Sequence, residues 1–385
     1  MHPDSFLDSV FAELDGLLGG TDAALAARYP GDTGGRQPVH TVYVPADRMH
    51  PGLLDEWGTA AREALKAHPP PPFGEELRER VLSKLEREPI EDLRIDFEDG
   101  YGIRDDPTED ADAVAAAAAL RDGPPPPFVG LRVKSLEAAT RKRAVRTLAV
   151  FLFWYGGLPP GFVVTLPKVS APEQVAAMAV LCGRLEEAYG LPAGALRFEA
   201  QVETPPAVLG ADGRATVAQL VGAAAGRLTG LHYGTYDYSA SLGIAAAQQS
   251  LEHPAADHAK AVMQVAVAGT GVRLSDGSTN VLPVGDTDAV RAAWALHSRL
   301  VRRSLERGFY QGWDLHPAQL PTRFAATYAF FRDGAPAARA RLAAYRERRS
   351  GGILDEPATA RALEGFLARG VHCGALDPSE ADVEL

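Results

Sequence analysis

The feature that most constrains this chain is a rhythm. From about residue 40 onward, short apolar runs alternate with longer stretches rich in Ala, Leu and Arg. The runs cover 41–44, 93–97, 128–133, 162–166, 196–202, 228–233 and 313–315, with one more at either 272–274 or 280–284. Their brevity and apolar character predict strands. The stretches between them, such as 172–189, 217–225 and 289–307, predict helices. Strands alternating with helices imply parallel βαβ units. About eight such units predict an α/β fold of the (β/α)₈ TIM-barrel class rather than an open doubly wound sheet. No GxGxxG follows the first strand, which argues against a dinucleotide-binding version of that alternative.

The flanks break the rhythm. Phe6, Val10, Phe11, Leu14, Leu17 and Leu18 fall at helical spacing, so 5–18 predicts an amphipathic helix, and the Gly- and Asp-rich segment up to Gln37 predicts a loop. Proline runs at 69–72 and 124–127 predict stiff extended linkers. Beyond Gly334 the sequence predicts an Arg/Ala-rich helix, a break at 350–352 and a last helix over 357–368. The expected organisation is an N-terminal helical extension (1–38), a catalytic barrel (39–333) and a C-terminal helical lid (334–385).

Charge and cysteine content narrow the function. A formal net charge of −11 opposes a nucleic-acid surface or an anionic membrane as partner. No apolar run reaches membrane-spanning length. The two cysteines, Cys182 and Cys373, supply neither a disulfide framework nor a thiolate metal site. Asp4, Asp8 and Glu13 stand where a secretory leader would be basic, so the expected location is the cytoplasm.

Charged groups at predicted strand ends carry the chemistry, because in a barrel those ends converge on one face. Asp96-Phe97-Glu98-Asp99-Gly100 puts three carboxylates at the end of the second strand: either a charged, helix-capping loop or acids held together by a cation. Arg132 lies inside an apolar strand and requires an anionic partner, which is either a substrate carboxylate or a carboxylate of a neighbouring strand. In 198–203, Phe198, Ala200 and Val202 alternate with Glu199, Gln201 and Glu203, so a polar face lines the inside of the barrel. Asp237 projects beyond the next strand after Gly234. Mg²⁺ takes one or two protein carboxylates and completes its shell with water and substrate oxygen. Glu203 and Asp237 meet that requirement, with Glu98 and Asp99 placed to accept hydrogen bonds from bound water. His232 and His316 are expected on strands, and no His pair has zinc-ligand spacing. Asp355, just before Pro357, caps the last helix on residue grounds alone.

These motifs, followed in order by Leu166-Pro167-Lys168-Val169, Val202-Glu203-Thr204, Gly234-Thr235-Tyr236-Asp237-Tyr238 and the 308–319 segment around Trp313-Asp314-Leu315-His316-Pro317, resemble the HpcH/HpaI aldolase and citrate lyase β-subunit superfamily, which includes malyl-CoA lyases and malate synthases. The resemblance spans roughly residues 40–365. It implies Glu203 and Asp237 as Mg²⁺ ligands, Glu98 and Asp99 as the acidic pair beside the metal, and Arg132 as the group that grips a substrate carboxylate or oxo group. It implies that Arg48, in Val44-Pro45-Ala46-Asp47-Arg48, faces the substrate or a CoA moiety. It implies that Asp355 belongs to a lid that reaches a neighbouring subunit for proton transfer. The activity implied is carbon–carbon bond lysis or formation on a β-hydroxy acid or its CoA thioester through a metal-stabilised enolate, in a homotrimer or hexamer. An aldolase acting on free 2-oxo acids and aldehydes without CoA is the alternative, and a silent barrel that serves as a binding protein is a third. Arg132-Val133-Lys134 departs from the Arg-x-Asn of the lyases, and the chain is too short for the C-terminal catalytic domain of malate synthase.

Overall fold

Strands form where the rhythm marks them. The computed structural model describes residues 3–32, 34–347 and 356–381. Its strands are β1 (His40–Pro45), β2 (Asp92–Asp96), β3 (Phe128–Arg132), β4 (Phe162–Leu166), β5 (Arg197–Val202), β6 (Leu228–Tyr233), β7 (Arg273–Ser275) and β8 (Gly312–Asp314). Between and around them run α1 (Pro3–Arg28), α2 (Leu53–Ala67), α3 (Glu75–Arg87), α4 (Asp106–Asp122), α5 (Arg141–Tyr155), α6 (Pro172–Tyr189), α7 (Pro205–Val208), α8 (Thr216–Ala223), α9 (Thr235–Ser241), α10 (Pro254–Val267), α11 (Thr287–Glu306), α12 (Leu320–Arg346), α13 (Pro357–His372) and α14 (Pro378–Ala381). Among the described residues no helix is long and apolar enough to cross a membrane.

The eight strands pair in parallel in the order β7-β6-β5-β4-β3-β2-β1-β8. A parallel bridge from Ser275 to Gln311, with the Asp276 N–H donating to the Gln311 carbonyl at 2.8 Å, brings the two edges together. The result is the (β/α)₈ barrel that the sequence predicts. The outward strand residues, among them Val42, Ile95, Leu131, Val164 and Leu231, are fully or almost fully buried under the helices and form the main apolar core.

The inside of the barrel is polar. Arg94 of β2 donates to both oxygens of Glu199 of β5 at 3.0 Å and also pairs with Asp92. Thr165 Oγ1 donates to Glu199 at 2.5 Å. Trp313 Nε1–H donates to His232 Nδ1 at 3.0 Å, which leaves His232 Nε2–H to donate to Glu199 at 2.9 Å. The inward face expected for Glu199 is therefore observed, and a cross-braced ionic layer fills the barrel below its C-terminal rim.

Several expectations need correction. α1 does not stop near residue 18 but continues through Gly19 and Gly20 to Arg28, because the Ala-rich segment that follows has high helix propensity. The seventh strand is 273–275, and 280–284 is irregular. The C-terminal helix begins at Leu320, so the boundary expected at 333/334 falls inside α12. Gly334 does not break that helix. A Cβ there would lie 2.6 Å from Phe366 Cζ, so the glycine lets α13 close onto α12. α13 itself runs on to His372. His316 lies past β8, where it caps a single 3₁₀ turn.

Candidate active site

The C-terminal ends of β2 to β6 build one cluster. β2 runs into the 96–100 turn, which Asp96 organises by accepting the N–H groups of Glu98 and Gly100, both at 2.9 Å. A Cβ at Gly100 would stand 2.7 Å from Asp96 Oδ2, so only glycine lets the turn close. From β3, Arg132 donates Nε–H and Nη2–H to the two oxygens of Asp96 at 2.7 Å each. Its guanidinium lies 4.6 Å from the centroid of the Tyr43 ring, and Nη1 stands 3.4 Å from Glu98. The neighbouring-strand carboxylate is thus the main partner of Arg132, and its Nη1 edge faces the acids. Asp96 above all holds the Arg132 pKa well above its ordinary value, against the burial of the guanidinium.

Lys168 is the hub of the cluster. The chain leaves β4 through Leu166 and Pro167, and Lys168 takes a left-handed backbone conformation with φ of 54°. That turn aims its N–H at Glu203 Oε1, to which it donates at 2.7 Å. Its ammonium pairs with Asp237 and lies 3.1 Å from Asp99, 3.6 Å from Glu98 and 3.9 Å from Glu203. Four acids predicted from three separate strand ends therefore converge on one cation. The motif around Lys168 assigns it no role from sequence. The available signal was a cation directly after a strand, opposite an excess of acids.

Burial sets the electrostatics. Glu203 is 2 % exposed, and its desolvation pushes its carboxyl up to about 7 despite Lys168. Burial likewise raises Glu98 to about 7, against the pull of Arg132. For Asp99 burial acts the same way, but Lys168, a hydrogen bond with Glu98 and Arg132 together outweigh it and the carboxyl lies below its ordinary value. Lys168 is raised, with Glu203 the foremost of the acids that overcome its desolvation. Gly234 has an extended φ of −95°, so its role is space rather than a tight turn. A Cβ there would sit 2.6 Å from Glu203 Oε2.

The donor set suits a hard cation. Among the described residues no three His, Cys, Asp or Glu side chains close into a ready-made cage. Glu203 and Asp237 nevertheless both reach the point held by the Lys168 ammonium, and two carboxylates with water are the usual protein share of a Mg²⁺ shell. Below this point Gln201 is fully buried with neither amide atom hydrogen-bonded, and the Tyr43 hydroxyl is likewise buried without a partner. Neither was singled out for a role from sequence. Arg48 lies on the 3₁₀ turn after β1, at the same end of the barrel but exposed and outside the cluster. Asp355 lies outside the described residues. A separate cavity of about 280 Å³ opens at the opposite mouth, and Arg94, Glu199 and His232 in its lining already pair with one another.

Comparison with known proteins places this barrel among solved folds. A citrate lyase from Burkholderia xenovorans LB400 is 20% identical over 92% of this chain and 98% of its own, with a TM-score of 0.61. CitE from Mycobacterium tuberculosis, in complex with magnesium, acetoacetate and coenzyme A, is 20% identical over 87% and 98%, with a TM-score of 0.55. The magnesium/glyoxylate complex of Haloferax volcanii malate synthase is 12% identical over 88% and 98%, with a TM-score of 0.52. At these identities the likeness is one of fold, and it is the likeness that the motifs suggested. No curated protein matches the chain in sequence. The family model described as "Domain of unknown function (DUF6986)" spans residues 18–385, barrel and C-terminal helices together, and the chain belongs to that family.

Proposed function

We propose that this chain is a Mg²⁺-dependent enzyme that breaks or forms a carbon–carbon bond in a β-hydroxy acid or its CoA thioester. The observation that carries the reading is the convergence of Glu98, Asp99, Glu203 and Asp237 on one cation-binding point at the catalytic end of a barrel. Magnesium, acetoacetate and coenzyme A in one solved neighbour, and magnesium and glyoxylate in another, support the same chemistry class.

Cleavage of a β-hydroxy acid leaves negative charge on an enolate oxygen, and condensation passes through the same species in reverse. Mg²⁺ held by Glu203 and Asp237 would supply Lewis-acid polarisation of the substrate oxygen. The residues do the rest. Asp96 fixes Arg132 so that its Nη1 edge presents a standing positive charge beside the acids. Lys168 adds a second cation. Gln201 and Tyr43 offer unpartnered donors on the floor of the site. Asp355 is the proposed base for the proton, as the family resemblance implies.

Assays of a panel of hydroxy acids and hydroxyacyl-CoAs with Mg²⁺ test the reading. Glu203→Ala and Asp237→Ala are expected to lose metal-dependent turnover by at least about 10²-fold, the usual scale for one electrostatic stabiliser. They should also lose the heat of Mg²⁺ binding in calorimetry. Full turnover with normal metal dependence in either variant would sink the assignment. Activity on free 2-oxo acids and aldehydes, with none on thioesters, would select the CoA-independent aldolase instead.

A further inference from the structure

We propose that α1 is an exchanged arm, whose apolar stripe docks in the basic-rimmed cleft between α5 and α6 of a second copy of this chain. Phe6, Phe11, Leu14, Leu17, Leu18 and Leu25 of α1 are each between 46% and 69% exposed. Gly16, Gly19 and Gly20 each cost a helix about 1 kcal/mol relative to Ala. A lone helix with three interior glycines and an uncovered apolar stripe does not hold together in water without packing. Covering the stripe supplies what the local sequence lacks.

The cleft matches the arm in apolar character and in charge. Val145, Phe153 and Trp154 of α5 and Val180 of α6 are 37%, 63%, 52% and 64% exposed. Two hollows of about 350 and 390 Å³ adjoin at Val145. Arg141, Lys142 and Arg146 stand along the rim, with Glu173 the one acid in the lining. Arg146 is paired with Asp110, whereas Arg141 and Lys142 meet no carboxylate among the described residues. The arm carries five acids, Asp4, Asp8, Glu13, Asp15 and Asp22, and no Lys or Arg before Arg28. Two arms paired with each other would bring like charges together. An arm in the cleft brings opposite ones together.

The arm cannot easily serve its own cleft. Its base is tied beside the loop before β7, where the Gly31 N–H donates to the Gly269 carbonyl at 2.8 Å. The Tyr29 ring stands against Gly269 at the same place. β7 and β4 are three places apart in the eight-strand order, and α8 packs between α10 and α6, so the cleft starts two helices round the barrel from the base of the arm. Each copy gives an arm and offers a cleft, so the contact closes either as a reciprocal two-fold exchange or head to tail as a ring.

Complementation between two broken chains tests this at micromolar concentration, with mass read by light scattering after size exclusion. The wild-type chain is expected to self-associate. A chain with Leu14→Asp and Leu18→Asp has a broken arm, and a chain with Phe153→Glu has a broken cleft. Each is expected to assemble at least about tenfold more weakly and to run as a monomer. Mixed one to one, they are expected to recover a dimer, since one intact arm then meets one intact cleft. That recovery also shows that both variants are folded. A monomeric wild-type chain, a Phe153→Glu chain that keeps the wild-type mass (arms pairing with each other or elsewhere), or a mixture that stays monomeric would overturn the proposal.

Discussion

Lys168 sets up a competition at the level of single side chains. On the proposed reading its ammonium and a divalent ion would need the same carboxylates, and at about 4 Å two like charges repel by roughly 1 kcal/mol in water and more in partly buried surroundings. Lys168→Met is expected to bind Mg²⁺ at least about fivefold more tightly in calorimetry while turnover falls, since the same cation would face the substrate. Weaker Mg²⁺ binding in that variant would mean that the lysine organises the acids rather than competing for them. Gln201 poses the opposite problem, a buried amide without partners. Gln201→Met is expected to raise unfolding free energy by about 1–2 kcal/mol in urea titrations, because an unsatisfied polar pair is removed, and to reduce activity. The four acids were legible in the sequence because carboxylates at strand ends have few structural uses. The place of Lys168 at their centre was legible only as a lone cation after a strand, because the positive φ that aims its N–H at Glu203 leaves no mark in a sequence of letters. Arg132 was legible only as a choice of partner, since strand register decides that Asp96 stands opposite it.

At the scale of elements, β5 matters most because Glu199 and Gln201 ride on it and Glu203 follows it directly. Its approach is clamped by Glu186 of α6, which accepts from Arg227 at 2.6 and 2.8 Å and from the N–H groups of Gly194 and Leu196. The Arg227 bonds above all hold the Glu186 carboxyl down at about 2. A carboxylate depressed in the folded state contributes stability that is complete above its unfolded value of 4.5 and fades as pH falls toward 2. Glu186→Gln is expected to flatten that acid limb of a stability-versus-pH curve, and an unchanged limb would show that the clamp is idle. At β8, Asp314 binds Arg323 of α12 at 2.9 Å, His297 of α11 at 3.0 Å and His40 of β1 at 2.7 Å. Asp314→Ala leaves Arg323 buried and unpaired, and is expected to cost about 3–5 kcal/mol in chemical denaturation. Most strands were legible because their outward faces are continuous apolar runs. β7 was not, since three residues beside an equally apolar neighbour give periodicity nothing to distinguish. Glycine misled in α1 and α12, where it marks open surface in one and close helix contact in the other.

Across the whole molecule, barrel and C-terminal helices share their packing. Leu342 of α12 and Leu367 of α13 lie in one small apolar cluster, while Cys373 and Ala375 belong to the main core. Arg80 of α3 reaches across to Asp377 at 3.0 Å and to the Gly374 carbonyl at 3.1 Å. Calorimetric unfolding is therefore expected to give one cooperative transition, whereas two resolved transitions would make the C-terminal segment an independent domain. The braced layer of Arg94, Glu199 and His232 has a kinetic consequence. It turns the barrel into a blind well, so whatever reaches the acids from the rim must leave by the same mouth. Steady-state patterns should then show the last product to leave competing with the first incoming reactant for the free protein.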